Sequence, residues 1–223
     1  MNALLKILQL LFTKKKEEVI TVTDRVTGEM NDIVVDEQRK PSIARIAVTL
    51  LTIGSASLLS MTKQQEGLET KAYPDSGKVA TIGIGTTQYR TGEKAGQKVK
   101  LGDTITKEQA YAELKAYYDE VGKMVVESLK KPNGEYVALS QQEFDIALDF
   151  TYQYGIGTWN KSSIRKAYLT EPTDYIQACE NYLKYKFVGK NDCSKANSGC
   201  RGVWLRSQKR RDDCLKAGDE KQG

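Results

Sequence analysis

The sequence predicts an α+β fold: a mainly helical domain built around one small β-hairpin, preceded by an N-terminal, weakly hydrophobic helix. Three observations predict it. Apolar residues recur at helical spacing behind two capping-box patterns, Thr106 to Gln109 and Ser140 to Glu143. One short β-branched stretch, Val79 to Ile84, follows the turn-forming run Pro74 to Lys78. Residues 46 to 62 carry no charge over 17 positions, between Arg45 and Lys63. At 223 residues the chain can bury a full core in one domain with an appendage. The expected division is 1–45 as a cytoplasmic or linker segment, 46–62 as a membrane-tether helix and 63–223 as the main domain.

In chain order, residues 1–12 form a short apolar stretch in which Leu4, Ile7, Leu8 and Leu11 share a helical face. It is too short to span a bilayer. It either lies on a membrane surface, helped by Lys14, Lys15 and Lys16, or is a frayed helix. Residues 13–42 read as a linker or a weak hairpin, with strands at Val19 to Thr23 and Ile33 to Val35. As one helix, residues 46–62 would rise about 25 Å, near the lower limit for the hydrocarbon core. Gly54 and five serines and threonines from Thr52 to Thr62 dilute its apolarity, so the expected membrane residence is weak. The cations precede it, which places the N-terminus in the cytoplasm and the main domain outside. A cleaved signal ending near Ser55-Ala56-Ser57 and a helix packed on the domain remain open alternatives.

Thr62 to Thr70 reads as helix, broken by Pro74 and Asp75-Ser76-Gly77-Lys78. Thr86 to Gly102 is polar and irregular. A helix is expected over Lys107 to Lys131, with Leu114, Tyr118, Val121, Val125 and Leu129 as core, stopped by Pro132-Asn133-Gly134. Another runs from Ser140 to Gly155. Asn160 to Leu169, Thr173 to Tyr185 and Val203 to Ala217 complete the helices, the last closed by Gly218.

The chain has no histidine, which excludes a His-based triad, His metal ligands and a His proton shuttle. Carboxylates are therefore the natural acid–base groups. Glu66 at a helix end, with Asp75 and Thr81 on the adjoining hairpin, brings two carboxyls and a hydroxyl toward one place. Two carboxyls in unlike environments can divide acid and base work, as hydrolysis of a glycosidic bond requires. No metal or cofactor is needed. The net charge of +5 is concentrated: Lys184 to Lys216 holds ten basic residues against Asp192, Asp212 and Asp213. Such a run is either a solvated helix face or a site for a polyanionic surface, cell-wall polymer or membrane headgroups. No motif supports nucleic acid as a partner.

Glu66-Gly67-Leu68, Glu-x8-Asp-x5-Thr over Glu66, Asp75 and Thr81, Tyr73 two before the aspartate and Thr81-Ile82-Gly83-Ile84-Gly85 together resemble the signature of phage-type lysozymes, the endolysins of glycoside hydrolase family 24. Tyr152-Gln153-Tyr154-Gly155-Ile156-Gly157 is similar to that family's Phe-Asn-Val-Gly-x-Gly, with Gln153 where Asn is usual. Gly202 to Arg206 is similar to its Gly-x-x-x-Arg segment. The resemblance covers residues 62–217, with nothing earlier in the enzyme core. It implies a lysozyme-like fold and a monomeric endolysin acting on peptidoglycan, cleaving the β-1,4 bond between N-acetylmuramic acid and N-acetylglucosamine. It implies Glu66 as general acid, Asp75 as ionised partner and Thr81 as water holder, with inversion at the anomeric carbon. Tyr73, Gly83, Gln153 and Arg206 are implied as substrate-binding or orienting residues, with Arg206 beside Glu66. The weakly apolar 46–62 segment resembles the signal-arrest-release segments of some endolysins, implying first the host inner membrane and then the host periplasm. Rival readings are a lytic transglycosylase, and a catalytically inactive wall-binding module anchored at the membrane.

Cys179, Cys193, Cys200 and Cys214 are spaced Cys-x13-Cys-x6-Cys-x13-Cys, unlike the close pairs of a zinc site. In a cytosolic chain four buried free thiols are the alternative; in an exported domain disulfides are expected, in one of three pairings. Cys193 and Cys200 enclose the turn-rich Ser194 to Gly199, which lets its ends meet. That leaves Cys179 and Cys214 to clamp two helices.

Overall fold

The computed structural model describes residues 17–23, 30–36, 45–75 and 77–219. The apolar stretch 1–12 and Lys14 to Lys16 lie outside the described residues. So does Ser76 of the expected turn. Strands β1 (Glu17–Thr23) and β2 (Met30–Asp36) pair antiparallel, Glu17 opposite Asp36, which is the hairpin alternative for this segment.

Residues 46–62 do not form one helix. β3 (Ile46–Ala47) pairs with β6 (Ala138–Leu139), and a 3-10 turn follows over Val48–Leu50. The chain then bends through Gly54 at φ +65° before α1 (Ala56–Glu66) begins. Ser55 starts that helix by accepting from the Leu58 amide, and its hydroxyl donates to Asp145 Oδ2 at 2.6 Å. Val48, Leu51 and Leu58 are buried in the main core. The expectation that nothing before residue 62 belongs to the core is therefore corrected. The apolar side chains that suggested a membrane helix are spent on the domain interior, where burial yields as much as lipid would. Arg45 fixes the entry, forking onto Glu143 at 2.6–3.0 Å while stacking 3.4 Å over the Tyr175 ring. No helix among the described residues is long and apolar enough to cross a membrane.

α1 stops at Glu66 rather than Thr70, because Gly67 at φ +76° turns the chain out of the helix. β4 (Glu69–Pro74) and β5 (Ala80–Gly83) form the expected hairpin. Both capping boxes are made, Thr106 with Gln109 and Ser140 with Glu143, opening α2 (Lys107–Ser128) and α3 (Gln141–Tyr154). α2 ends three residues before Lys131, because Lys130 bridges to Tyr136 instead. Leu114, Tyr118, Val125 and Leu129 of α2 and its end pack against Phe144, Ala147, Leu148 and Phe150 of α3. The expected helix over Asn160 to Leu169 is two, α4 (Ile156–Lys161) and α5 (Ser163–Tyr168), divided by Ser162, which caps the second. α6 (Tyr175–Glu180) passes into a 3-10 turn, Asn181–Lys184. A small hairpin, β7 (Phe187–Val188) and β8 (Asn191–Asp192), leads to α7 (Arg201–Asp219), which continues through Gly218. The disulfides are Cys179–Cys214, clamping α6 to α7, and Cys193–Cys200.

Candidate active site

Glu66 is the last residue of α1, so its side chain stands where the helix gives way to the hairpin. Asp75 follows β4 directly and organises the turn. Its Oδ1 accepts from the Gly77 and Val79 amides, each at 2.8 Å. The same turn closes through the Asp75 amide donating to the Val79 carbonyl at 2.9 Å. Thr81 lies opposite Tyr73 in the sheet and is 4% exposed. Its hydroxyl donates to the Val79 carbonyl at 3.1 Å, which leaves the oxygen lone pairs to accept from a water. Glu66, Asp75, Thr81, Tyr73, Gln153 and Arg206 all line one cleft of about 460 Å³.

Arg206, on α7, reaches Glu66 across 140 positions of sequence, with Nη1 and Nη2 each 3.2 Å from Oε1. Nη2 also lies 3.4 Å from Asp149 Oδ1. Asp149 is buried on α3, and its other oxygen accepts from the buried Arg210 Nε at 2.6 Å. Two guanidiniums thus compensate two carboxylates, one buried and one facing the cleft, which meets the cost of taking charge out of water. Asp149 and Arg210 were not singled out in the sequence. The available signal was two acids one turn apart, Asp145 and Asp149, set among the apolar residues Phe144, Ile146, Ala147, Leu148 and Phe150 of one helix.

Tyr73 has its phenol pushed above the ordinary range by burial and by the charges of Glu66, Glu69 and Asp75, so it faces the cleft as a neutral donor. Gln153 presents a buried Oε1 with no hydrogen-bond partner among the described residues. A buried acceptor left without a partner in this way is uncommon, and the residue also lines the cleft. Gly83 is placed differently from expectation. A Cβ there would stand 3.1 Å from both Ala110 Cβ and Ile105 Cδ1, so the residue lets β5 seat on α2 and does not line the cleft. The steric demand for glycine is sharpest at Gly85, φ +71°, where a Cβ would come within 2.1 Å of Tyr152 Oη. That phenol donates to the Ile84 carbonyl at 2.7 Å and lines the cleft floor.

The irregular stretch after the hairpin is anchored by Glu113, a buried carboxylate of α2. It accepts from the Arg90 and Thr91 amides at 2.5 and 3.0 Å and from the Thr91 hydroxyl. This fixes one rim of the cleft. The arrangement suits proton transfer to a leaving oxygen from one carboxyl, with a second carboxylate and a hydroxyl available to a water.

Comparison with known proteins bears on this geometry. A profile described as phage lysozyme matches residues 63–203. The endolysin of Salmonella phage P22 is 27% identical over 137 residues, which is 61% of this chain and 86% of that protein. Among solved structures, the endolysin from Escherichia coli O157:H7 phage FAHEc1 superposes with a TM-score of 0.58 at 28% identity, covering 73% of this chain and 93% of that one. A P22 lysozyme mutant superposes with a TM-score of 0.57 at 24% identity, covering 74% and 99%, a likeness of fold.

Proposed function

The chain belongs to the phage lysozyme family, and from that premise we propose that it is an endolysin whose cleft hydrolyses the β-1,4 bond between N-acetylmuramic acid and N-acetylglucosamine in peptidoglycan. One observation carries the proposal: the two carboxyls of Glu66 and Asp75 and the hydroxyl of Thr81 line a single cleft, with Arg206 on the Glu66 carboxyl. Glu66 in its protonated form gives its proton to the glycosidic oxygen as the bond to the anomeric carbon lengthens. Asp75, ionised and held by two amides, uses its second oxygen to steady the oxocarbenium-like charge and to draw a proton from water. Thr81 accepts a hydrogen bond from that water and aims it. Tyr73 and Gln153 orient the sugar, the amide oxygen of Gln153 being suited to an acetamido N–H. Attack by water on the face opposite the leaving group gives inversion. The two carboxyls should then stand roughly 6.5–9.5 Å apart in the substrate complex, against about 5 Å for a retaining pair.

In the same reading, residues 46–62 hold the newly made chain in the host inner membrane, and the chain then leaves it to work in the host periplasm as a monomer, where the disulfides form. What supports this is the uncharged run with cations ahead of it, and two disulfides suited to an oxidising compartment. The test of the chemistry is loss of murein turbidity with purified chain. Glu66→Gln should retain less than about a hundredth of wild-type activity, since a general acid contributes ~10²–10⁴-fold. Retention of more than a tenth would remove Glu66 from the role.

A further inference from the structure

We propose that the stapled hairpin β7–β8 is a docking surface for an anionic lipid bilayer. This goes beyond the catalytic reading and uses none of the residues placed in its mechanism.

Two residues of a strand in succession face opposite sides of the sheet. Phe187 and Val188 are each 52% exposed, so the domain covers neither face of the hairpin and its tip stands clear. The turn is the two residues Gly189 and Lys190, with Gly189 at φ +57°. The base is held firmly. Cys193 and Cys200 are joined, the Cys193 amide donates to the Lys186 carbonyl at 2.8 Å, Asn191 Nδ2 donates to the Ser198 carbonyl, and Arg201 Nη1 donates to the Ser194 carbonyl at 2.5 Å. A tip fixed in advance loses little freedom on docking.

Charge decides what the tip meets. Between residues 184 and 205 the chain carries Lys184, Lys186, Lys190, Lys195 and Arg201 against the single acid Asp192. Asp192 is already matched by Lys186, whose ammonium also lies 5.4 Å from the Phe187 ring centre. Lys184, Lys190 and Lys195 are exposed. On α7, Arg201, Leu205 and Lys209 follow one another at four-residue spacing along one exposed stripe, so Leu205 adds a third apolar group between cations. Exposed apolar side chains ringed by lysines fit the headgroup–acyl boundary of an anionic bilayer, where the rings and branches enter and the ammoniums stay with phosphate. A purely polar polyanion would match the lysines and leave Phe187, Val188 and Leu205 in water.

Flotation of the full oxidised chain on vesicles tests this, comparing phosphatidylethanolamine mixed with phosphatidylglycerol against phosphatidylcholine alone. The reading is the difference between chains that share the same N-terminal residues. Wild type should partition to the anionic vesicles, and less as salt is raised. The triple variant Lys184→Gln, Lys190→Gln, Lys195→Gln should lose about a hundredfold, at roughly fivefold per lysine. Phe187→Ser with Val188→Ser should lose roughly tenfold. Both should clear solubilised murein at the wild-type rate, which shows that they are folded. In Phe187→Trp, fluorescence should be quenched by brominated phosphatidylglycerol, in excess of the quenching of Trp159 and Trp204 in wild type. Equal partition of wild type and both variants, equal binding to neutral vesicles, or an unquenched Trp at 187 would each overturn the proposal.

Discussion

Asp149 has no place in the cleft itself, yet it holds the group that does. Its carboxylate takes Arg210 on one oxygen and draws Arg206 toward the other, and Arg206 then lies on Glu66. Asp149→Asn keeps the volume and can still accept from Arg210, but removes the charge that steers Arg206. We expect kcat to fall about 10²-fold, the loss typical of a misplaced catalytic contact, with KM nearly unchanged. A fall in KM-linked binding with intact kcat would assign Asp149 to substrate affinity instead. Glu66, Asp75 and Thr81 were legible in the sequence because a helix end and a tight hairpin place them within 16 residues. Asp149 and Arg210 were not, because a buried ion pair spanning 61 positions leaves no periodic trace in either segment. Gly83 seats β5 on α2 and does not line the cleft, a difference hidden in the sequence because a glycine that admits a neighbouring helix and one that admits a sugar look the same there.

At the scale of elements, the capped helices were read correctly because their start signals are local: both capping boxes close within three residues. The segment 46–62 was misread as one helix because apolarity alone does not separate lipid from protein interior. What distinguishes them here is Gly54 in the left-handed region and Ser55 as a cap, two residues that end one element and begin the next. The membrane proposal can be tested without disturbing that fold. Ser57 and Ser60 are exposed on α1, so Ser57→Leu with Ser60→Leu adds apolar transfer energy, up to about 0.6 kcal/mol each, to the membrane state. The variant should stay longer in the membrane fraction and lyse cells later than wild type; unchanged timing would show that residence there does not control lysis. Arg45 offers a second test. Removing it strands Glu143, which is fully buried, so Arg45→Ala should cost about 3 kcal/mol in urea unfolding. A cost near zero would mean that residue 45 is not part of the folded domain. The rim loop should respond to acid. Asp103 is held down to about 2, first by the Lys94 ammonium and then by the Lys100 amide. A lowered carboxyl contributes stability that is present above its unfolded value and is lost as pH falls through the folded one. Amide exchange in residues 94–103 should therefore rise between about pH 4 and pH 2, and in Asp103→Asn it should already be raised at neutral pH.

Across the whole molecule, the C-terminal helix bears on the site from a distance. α7 carries Arg206 and is clamped to α6 by Cys179–Cys214, a loop of 35 positions. In the loop-entropy account that bridge contributes about 4 kcal/mol, against about 2 kcal/mol for Cys193–Cys200. The pairing was legible because the short turn-rich loop claimed two cysteines and left two on helices. The projection of β7–β8 was not, since Phe187 and Val188 would read equally well as core. Cys179→Ala with Cys214→Ala should lower the thermal midpoint by more than Cys193→Ala with Cys200→Ala; the reverse order would mean that the α6–α7 clamp is not what holds the C-terminal half. In the proposed mechanism water, not an internal hydroxyl, completes the reaction in the cleft of Glu66, Asp75 and Thr81. Mass spectrometry of murein digested by the purified chain measures that directly. The predicted products end in reducing N-acetylmuramic acid, one water heavier than the internal repeat. Products ending in 1,6-anhydro-N-acetylmuramic acid would contradict it and make the protein a lytic transglycosylase.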